Sequence, residues 1–97
     1  MGIQQAEYLD EYKIRLTFNN GRTGIANLEE TIFNDRRDIF QKLKDAQNFR
    51  AFSLAHSTIV WFNELDLAPE FLFYLAFMNE AELQEQFTQW GYKTKPE

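Results

Sequence analysis

Residues 58–74 constrain the fold of this chain more than any other stretch. A β-branched and aromatic run, Thr58 to Phe62, is followed by a polar segment and then by Pro69, which opens a very apolar segment. Proline suits the first position of a helix, where its missing N–H costs nothing, and Glu70 in the first turn complements the helix dipole. The stretch therefore predicts a strand, a turn from Asn63 to Asp66 and a buried helix in direct succession.

An antiparallel hairpin is predicted nearer the N-terminus. Apolar and polar residues alternate from Tyr12 to Phe18, the period of a half-buried strand, and a weaker strand signal precedes them at Ile3 to Leu9. The pair Asn20-Gly21 favours a two-residue type I′ turn after the alternating strand. Such a turn sets Leu16 opposite Ile25.

A second hairpin is predicted from strands at Phe49 to Ala55 and Thr58 to Phe62. On the first of these strands Phe52 and Leu54 share one face. The connection His56-Ser57 is a poor two-residue hairpin turn, so a longer loop fits the sequence equally well.

Caps and apolar spacing predict the helix between the two hairpins. Asn34 or Asp35 can cap it, because their side chains accept hydrogen bonds from the first free backbone N–H groups. The helix should run to about Lys44, and residues 45–48 should break it.

The C-terminal residues predict a further helix. Asn79 begins a capping-box pattern, and an apolar stripe at helical spacing includes Phe87 and Trp90. Gly91 fits the left-handed position after a helix, which lets Tyr92 fold back on Phe87.

These elements predict a single α+β domain over residues 1–97. Its small, mostly antiparallel sheet has about four to five strands in two hairpins and is backed by two to three helices. A chain of 97 residues suffices for one modest core. Residues 93–97 are expected to form a frayed tail.

Charge and cysteine usage narrow the classes of function. The chain has no Cys, which excludes disulfides, thiolate zinc sites and cysteine nucleophiles, and we expect a cytoplasmic protein. No apolar run approaches the roughly 20 residues of a membrane span. Residues 1–61 carry eight acidic and eight basic side chains, whereas residues 62–97 carry seven acidic and two basic ones. Direct nucleic-acid contact is therefore not expected, and a basic partner suits the acidic third better.

No residue set points to catalysis or to a cofactor. Asp66 and Glu70 lie four residues apart and could share a cleft for acid–base or metal chemistry, but a helix start selects the same residues for stability. Glu64 adds a third carboxylate without meeting any known metal-loop spacing. His56 is the only histidine, so it lacks a second ligand or an orienting partner. We therefore expect no enzyme and no cofactor.

The aromatic residues predict a hydrophobic core, and they are numerous enough that some of them can lie at the surface. Trp61 and the apolar helix at Phe71 to Met78 have the spacing of core residues. A domain of this size also carries Phe33, Phe62 and Trp90, and an aromatic surplus of this kind can form an interface.

The segment W-F-N-E-L-D-L-A-P-E-F-L-F-Y, from Trp61 to Tyr74, resembles the signature of a bacterial family called domain of unknown function 2442. The resemblance extends to the strand and turn at residues 12–24, to residues 40–45 and to residues 82–92. It departs at Phe62-Asn63-Glu64, where the family often has Pro-Asn-Gly. The resemblance implies a small α+β fold without an established activity, in relatives sometimes fused to helix-turn-helix domains or encoded beside toxin-like genes.

The sequence thus predicts a non-enzymatic protein-interaction or accessory module of the bacterial cytoplasm. A protein partner is expected, and a second copy of the chain is one option. The alternative is a transcription- or toxin-antitoxin-associated regulator that acts with a DNA-binding or toxin partner. The candidate contact or motif residues are Trp61, Asp66, Pro69, Glu70, Tyr74 and Trp90.

Overall fold

Residues 1–93 of the protein are described by a computed structural model. Their six strands form two three-stranded antiparallel sheets with the orders β1-β2-β3 and β4-β5-β6. The strands are β1 (Ile3–Tyr8), β2 (Lys13–Phe18), β3 (Thr23–Asn27), β4 (Ser53–Ala55), β5 (Thr58–Trp61) and β6 (Leu65–Asp66). The predicted α+β class is confirmed, but the single sheet of four to five strands is wrong.

The two sheets meet at β1 without forming one continuous sheet. The N–H of Ile3 donates to the carbonyl of Ser57 across the junction, at 2.8 Å. A register shift between Ile3 and Gln5 marks an irregularity in β1 at this point. Such a bulge bends a strand, which accounts for the lack of a ladder between the sheets within the described residues.

The first hairpin is offset by one residue from its predicted register. Leu16 lies opposite Gly24 rather than Ile25, because the turn has three residues and ends on Gly21 at a φ of 88°. The N–H of Gly21 donates to the carbonyl of Phe18 at 3.0 Å, as in a type I turn followed by a left-handed residue. Ile25 consequently faces outward and is 46% exposed.

The second hairpin is tighter than its sequence suggests. His56 and Ser57 have φ values of 55° and 65°, so Ala55 pairs directly with Thr58. Leu54 is 44% exposed, whereas Phe52 packs against the indole of Trp61 at a ring separation of 6.3 Å. The predicted polar turn instead contributes β6, which pairs with β5.

Five helices lie within residues 1–93, more than the two or three predicted, because several are a single short turn or two. They are α1 (Glu29–Asn34), α2 (Asp38–Leu43), α3 (Ala46–Phe49), α4 (Pro69–Phe77) and α5 (Gln84–Gln89), with a 3₁₀ turn at Ala81–Leu83 before α5. Asp35 accepts a hydrogen bond from the N–H of Arg37 just before α2. Asp45 caps α3 at a place where a break is predicted, and Asn79 does not cap the C-terminal turn.

The core lies between the inner faces of the sheets and α4. Its buried apolar residues are Ile3, Ile14, Leu16, Phe18, Ala26, Leu28, Ile32, Phe40, Leu43, Phe49, Ile59, Trp61, Leu72, Phe73, Phe77, Leu83 and Phe87. Helix α4 packs on β3, where the Phe77 ring lies over Gly24, and the Phe18 and Phe73 rings meet edge to face at 5.1 Å. Helix α4 also turns aromatic side chains towards α5, and these create the candidate site.

Candidate functional site

Only some of the candidate residues reach the surface. Trp61 is 1% exposed, and its indole Nε1–H donates to the carbonyl of Phe49 at 2.8 Å, so it belongs to the core. Asp66 is exposed in β6 and lies opposite Val60, away from any capping role. Pro69 is the first residue of α4, as predicted.

Tyr74 and Trp90, in contrast, converge from α4 and from the end of α5. Together with Phe71 and Tyr92 they form a half-buried aromatic surface that we call the aromatic cap. The rings of Tyr74 and Tyr92 stack at 5.2 Å, and Phe71 lies 5.7 Å from Tyr92. The indole of Trp90 stands perpendicular to Tyr92 at 6.3 Å. The cap therefore unites rings that lie up to 21 positions apart in the chain.

Buried rings support the aromatic cap from below. Phe87 meets Tyr74 edge to face at 5.1 Å and lies 6.0 Å from Trp90. Phe73 approaches Trp90 at 6.1 Å and continues into the core through Phe77 at 4.7 Å. Edge-to-face packing of this kind holds rings in defined orientations. The cap is thus an extension of the core rather than a set of loose side chains.

The end of α5 places Tyr92 in the aromatic cap. The N–H of Tyr92 donates to the carbonyl of Phe87 at 3.0 Å, and that of Gly91 to Thr88 at 3.1 Å. These two bonds, with a φ of 88° at Gly91, define the Schellman end that the sequence predicts. The chain therefore reverses after α5 and lays Tyr92 against α4.

Three carboxylates lie near the aromatic cap, those of Glu70, Glu82 and Glu85. Between Glu64 and Tyr92 the chain carries six Asp or Glu residues and no Lys, Arg or His. Burial raises the pKa of Tyr92, and the negative charge of Glu70 raises it further. The Glu70 carboxylate thus lies near enough to Tyr92 to act on it electrostatically.

A shallow depression of about 420 Å³ lies beside Trp90. It is lined by Glu82, Glu85, Gln86, Gln89 and Trp90. The guanidinium of Arg22 donates to Glu82 at 3.2 Å. A hydrogen bond from the backbone of Glu82 and then this contact with Arg22 lower the pKa of the Glu82 carboxyl. Glu85 forms no salt bridge with any residue of the described part of the chain.

A second groove, of about 630 Å³, has polar groups that already pair with one another. It lies on the outer side of the first sheet and is lined by Gln5, Ala6, Glu7, Arg15, Thr17, Phe52 and Leu54. Its two charges pair with each other, since Arg15 donates to Glu7 at 2.6 Å. The hydroxyl of Thr17 pairs with that of Thr23 at 3.1 Å.

The described residues assemble no metal site. Nowhere in positions 1–93 do three or more His, Cys, Asp or Glu side chains come close enough to hold a metal ion. His56 is exposed at the tip of the second hairpin. None of the helices in this part of the chain is long and apolar enough to cross a membrane.

The fold and the site define a small α+β domain with a half-buried aromatic surface set among carboxylates. Residues 3–77 match the model of a family described as protein of unknown function (DUF2442), and the chain belongs to that family. No curated protein and no solved structure matches the chain significantly. The match includes Phe71 and Tyr74 but ends before Trp90 and Tyr92, so it does not extend to the predicted resemblance at residues 82–92.

Sequence reasoning identified two members of the aromatic cap, Tyr74 and Trp90, and missed the other two. A signal for Tyr92 was present in Gly91, whose predicted Schellman end folds the next residue back on the helix. Phe71 lies one turn before Tyr74 on α4, and spacing of this kind places two side chains on one face.

Proposed function

We propose that this protein is a non-enzymatic interaction module of the bacterial cytoplasm that binds a protein partner through the aromatic cap. The observation that carries this proposal is the convergence of four half-buried rings from α4 and the end of α5. Rigid aromatic side chains supply much contact area at little entropic cost, and Trp and Tyr are enriched at the centres of interfaces.

The support beneath the aromatic cap prepares its rings for binding. Its rings are already oriented by Phe73 and Phe87, so little ordering is needed when a partner docks. The outer groove of the first sheet has its charges internally paired and is the weaker candidate. The alternative function, a regulator acting with a DNA-binding or toxin partner, stays a prediction. A gel shift with genomic fragments at low salt tests whether this chain contacts DNA directly.

Site-specific photocrosslinking in the native cell tests the proposal. A photoreactive phenylalanine analogue is placed at Trp90 or, as a matched control, at Phe62, which is an exposed ring outside the aromatic cap. We expect the position-90 protein to give one discrete adduct that the position-62 protein does not give. Adducts of equal yield at both positions, no adduct at position 90, or turnover of a metabolite by the purified protein would each refute the proposal.

Light scattering coupled to size-exclusion chromatography identifies the self-association form of this function. If the partner is a second copy of the chain, the mass of the wild type is that of a dimer, and Trp90→Ala returns it to that of a monomer. A dimer that Trp90→Ala leaves intact would place self-association on another surface.

A further inference from the structure

We infer that the partner element that docks on the aromatic cap is a cationic polypeptide segment, whose Lys or Arg side chains lie against the rings and between the surrounding carboxylates. This inference rests on the proposed function, and it adds the chemistry of the partner. A cation over an aromatic face is attracted by the ring, most strongly by Trp.

Carboxylates outnumber cations around the aromatic cap, where Arg22 is already paired with Glu82. Glu82 and Glu85 line the depression beside Trp90, and Glu70 acts on Tyr92. No basic residue occurs between Glu64 and Tyr92, and Lys93 donates its ammonium hydrogen bond to Gln84. A partner with exposed Lys or Arg is therefore electrostatically complementary, whereas an acidic peptide or a nucleic-acid backbone is repelled.

The protein itself contains an example of the proposed contact. The guanidinium of Arg22 lies over the ring of Phe77, 5.8 Å from its centroid, and donates to Glu82 at 3.2 Å. The Arg22 side chain thus contacts an aromatic ring and a carboxylate at the same time. Trp90 and Glu85 offer a similar ring and carboxylate in the depression that Glu82 also lines.

Three other rings that are at least partly exposed each have a cation of the chain itself nearby. Lys42 lies 5.8 Å from the Phe62 ring, Lys44 lies 5.3 Å from Phe33, and Arg50 lies 5.5 Å from Tyr8. Within residues 1–93, no Lys or Arg lies over a ring of the aromatic cap. The cap is therefore an acidic aromatic surface whose complement comes from outside the described part of the chain.

A second copy that docked by the same surface would bring the same carboxylates face to face. Like charges across an interface disfavour the complex. The electrostatics therefore favour a heterologous cationic segment over a symmetric dimer at the aromatic cap.

Calorimetry with three synthetic peptides of equal length tests this inference on the full chain. The peptides alternate Ala with Lys, with Gln or with Glu. We expect the Lys peptide to bind about tenfold or more tightly than the Gln peptide at low salt, the Glu peptide not to bind, and the affinity to fall as salt is raised.

Matched substitutions show whether the peptide uses the aromatic cap. Glu85→Gln should weaken binding of the Lys peptide about twofold to fivefold, and Trp90→Leu by about threefold. Glu30→Gln makes the same change in net charge at an exposed position of α1 and should leave the affinity unchanged. Unfolding midpoints confirm that each variant is folded. Equal effects of Glu85→Gln and Glu30→Gln would mean that net charge alone explains the binding, and this result would overturn the inference.

Two further outcomes separate the inference from the proposed function, and a third tests the inference alone. If the Gln peptide binds as well as the Lys peptide and depends on Trp90, the interaction function holds and the cationic partner is wrong. An acidic partner recovered by crosslinking at position 90 has the same meaning. If the Lys peptide binds only after Lys95→Gln, the chain's own C-terminal residues are the occupant, and the inference is wrong.

Discussion

The ring of Phe77 occupies the space that a side chain at position 24 would fill. A Cβ added at Gly24 would come within 2.7 Å of Phe77 Cζ and 3.2 Å of the Ala76 Cβ. This close approach seats α4 on β3, and it depends on the one-residue offset that turns Gly24, rather than Ile25, towards the core. The position of the aromatic cap on α4 follows from the same contact.

Gly24→Ala should lower the free energy of unfolding by about 1–3 kcal/mol, because the methyl group overpacks the α4–β3 contact. Urea denaturation measures the change. Phe77→Leu shortens the obstructing side chain, so Gly24→Ala should cost less in that background. Equal costs in both backgrounds would show that Phe77 is not the obstacle.

Trp61→Phe should destabilise the protein much more than Trp90→Phe, although both replace an indole by a phenyl ring. The buried Trp61 loses its hydrogen bond to the carbonyl of Phe49 and leaves a cavity, so we expect a loss of about 2–3 kcal/mol. Trp90 is half-buried, and its replacement should cost less than about 1 kcal/mol. Denaturant titrations of the two variants give the comparison, and a reversed order would contradict the placement of Trp61 in the core.

Gly91→Ala should lower stability by about 1 kcal/mol, since an L side chain disfavours the positive φ of this position. No heavy atom lies within 4 Å of the added Cβ, so the effect comes from the backbone alone. Gly91→Asn is the control, because asparagine adopts the left-handed conformation more readily, and it should cost less. Thermal denaturation measures both, and an alanine variant as stable as the wild type would contradict the Schellman end.

The titration of Tyr92 should report on the aromatic cap. Burial and then Glu70 raise its folded-state pKa above the ordinary value of 10.0. A raised pKa means that the folded state favours the protonated phenol. The contribution of Tyr92 to the free energy of unfolding is therefore present below about pH 10, and it is lost as the pH rises through the folded-state pKa.

Tyrosinate absorbance of the wild type and of Tyr92→Phe isolates this titration among the four tyrosines. Glu70→Gln should lower the pKa of Tyr92 only in part, since burial is the larger cause of the shift. If the late-titrating group persists in Tyr92→Phe, it belongs to another residue.

Local patterns predicted those features that depend on neighbouring residues. Alternation identified β2, and Pro69 marked the first residue of α4 because both signals act within a few residues. Gly91 indicated the end of α5 for the same reason. Family membership was also predictable from the Trp61–Tyr74 segment, and the match over residues 3–77 confirms it.

Local signals misled where two of them competed. Asn20-Gly21 favours a two-residue turn, yet the hairpin takes three residues, because the offset register places Gly24 and Ala26 opposite the bulky Leu16 and Ile14. The predicted break after Lys44 is present, because α2 ends at Leu43, but Asp45 also caps a further helix, α3, where no helix was predicted. The hairpin register depends on what packs against the strand, whereas the cap by Asp45 is a local hydrogen bond from the N–H of Gln47.

The sequence by itself determined the α+β class, the main strands, the start of α4 and the acidic character of the C-terminal third, because composition and short-range periodicity encode all four. Only the tertiary structure decided the division into two sheets, the hairpin register and the convergence of Tyr74, Trp90, Phe71 and Tyr92. These features join residues distant in the chain, and the energies that select them come from burial and ring packing, which no local pattern records.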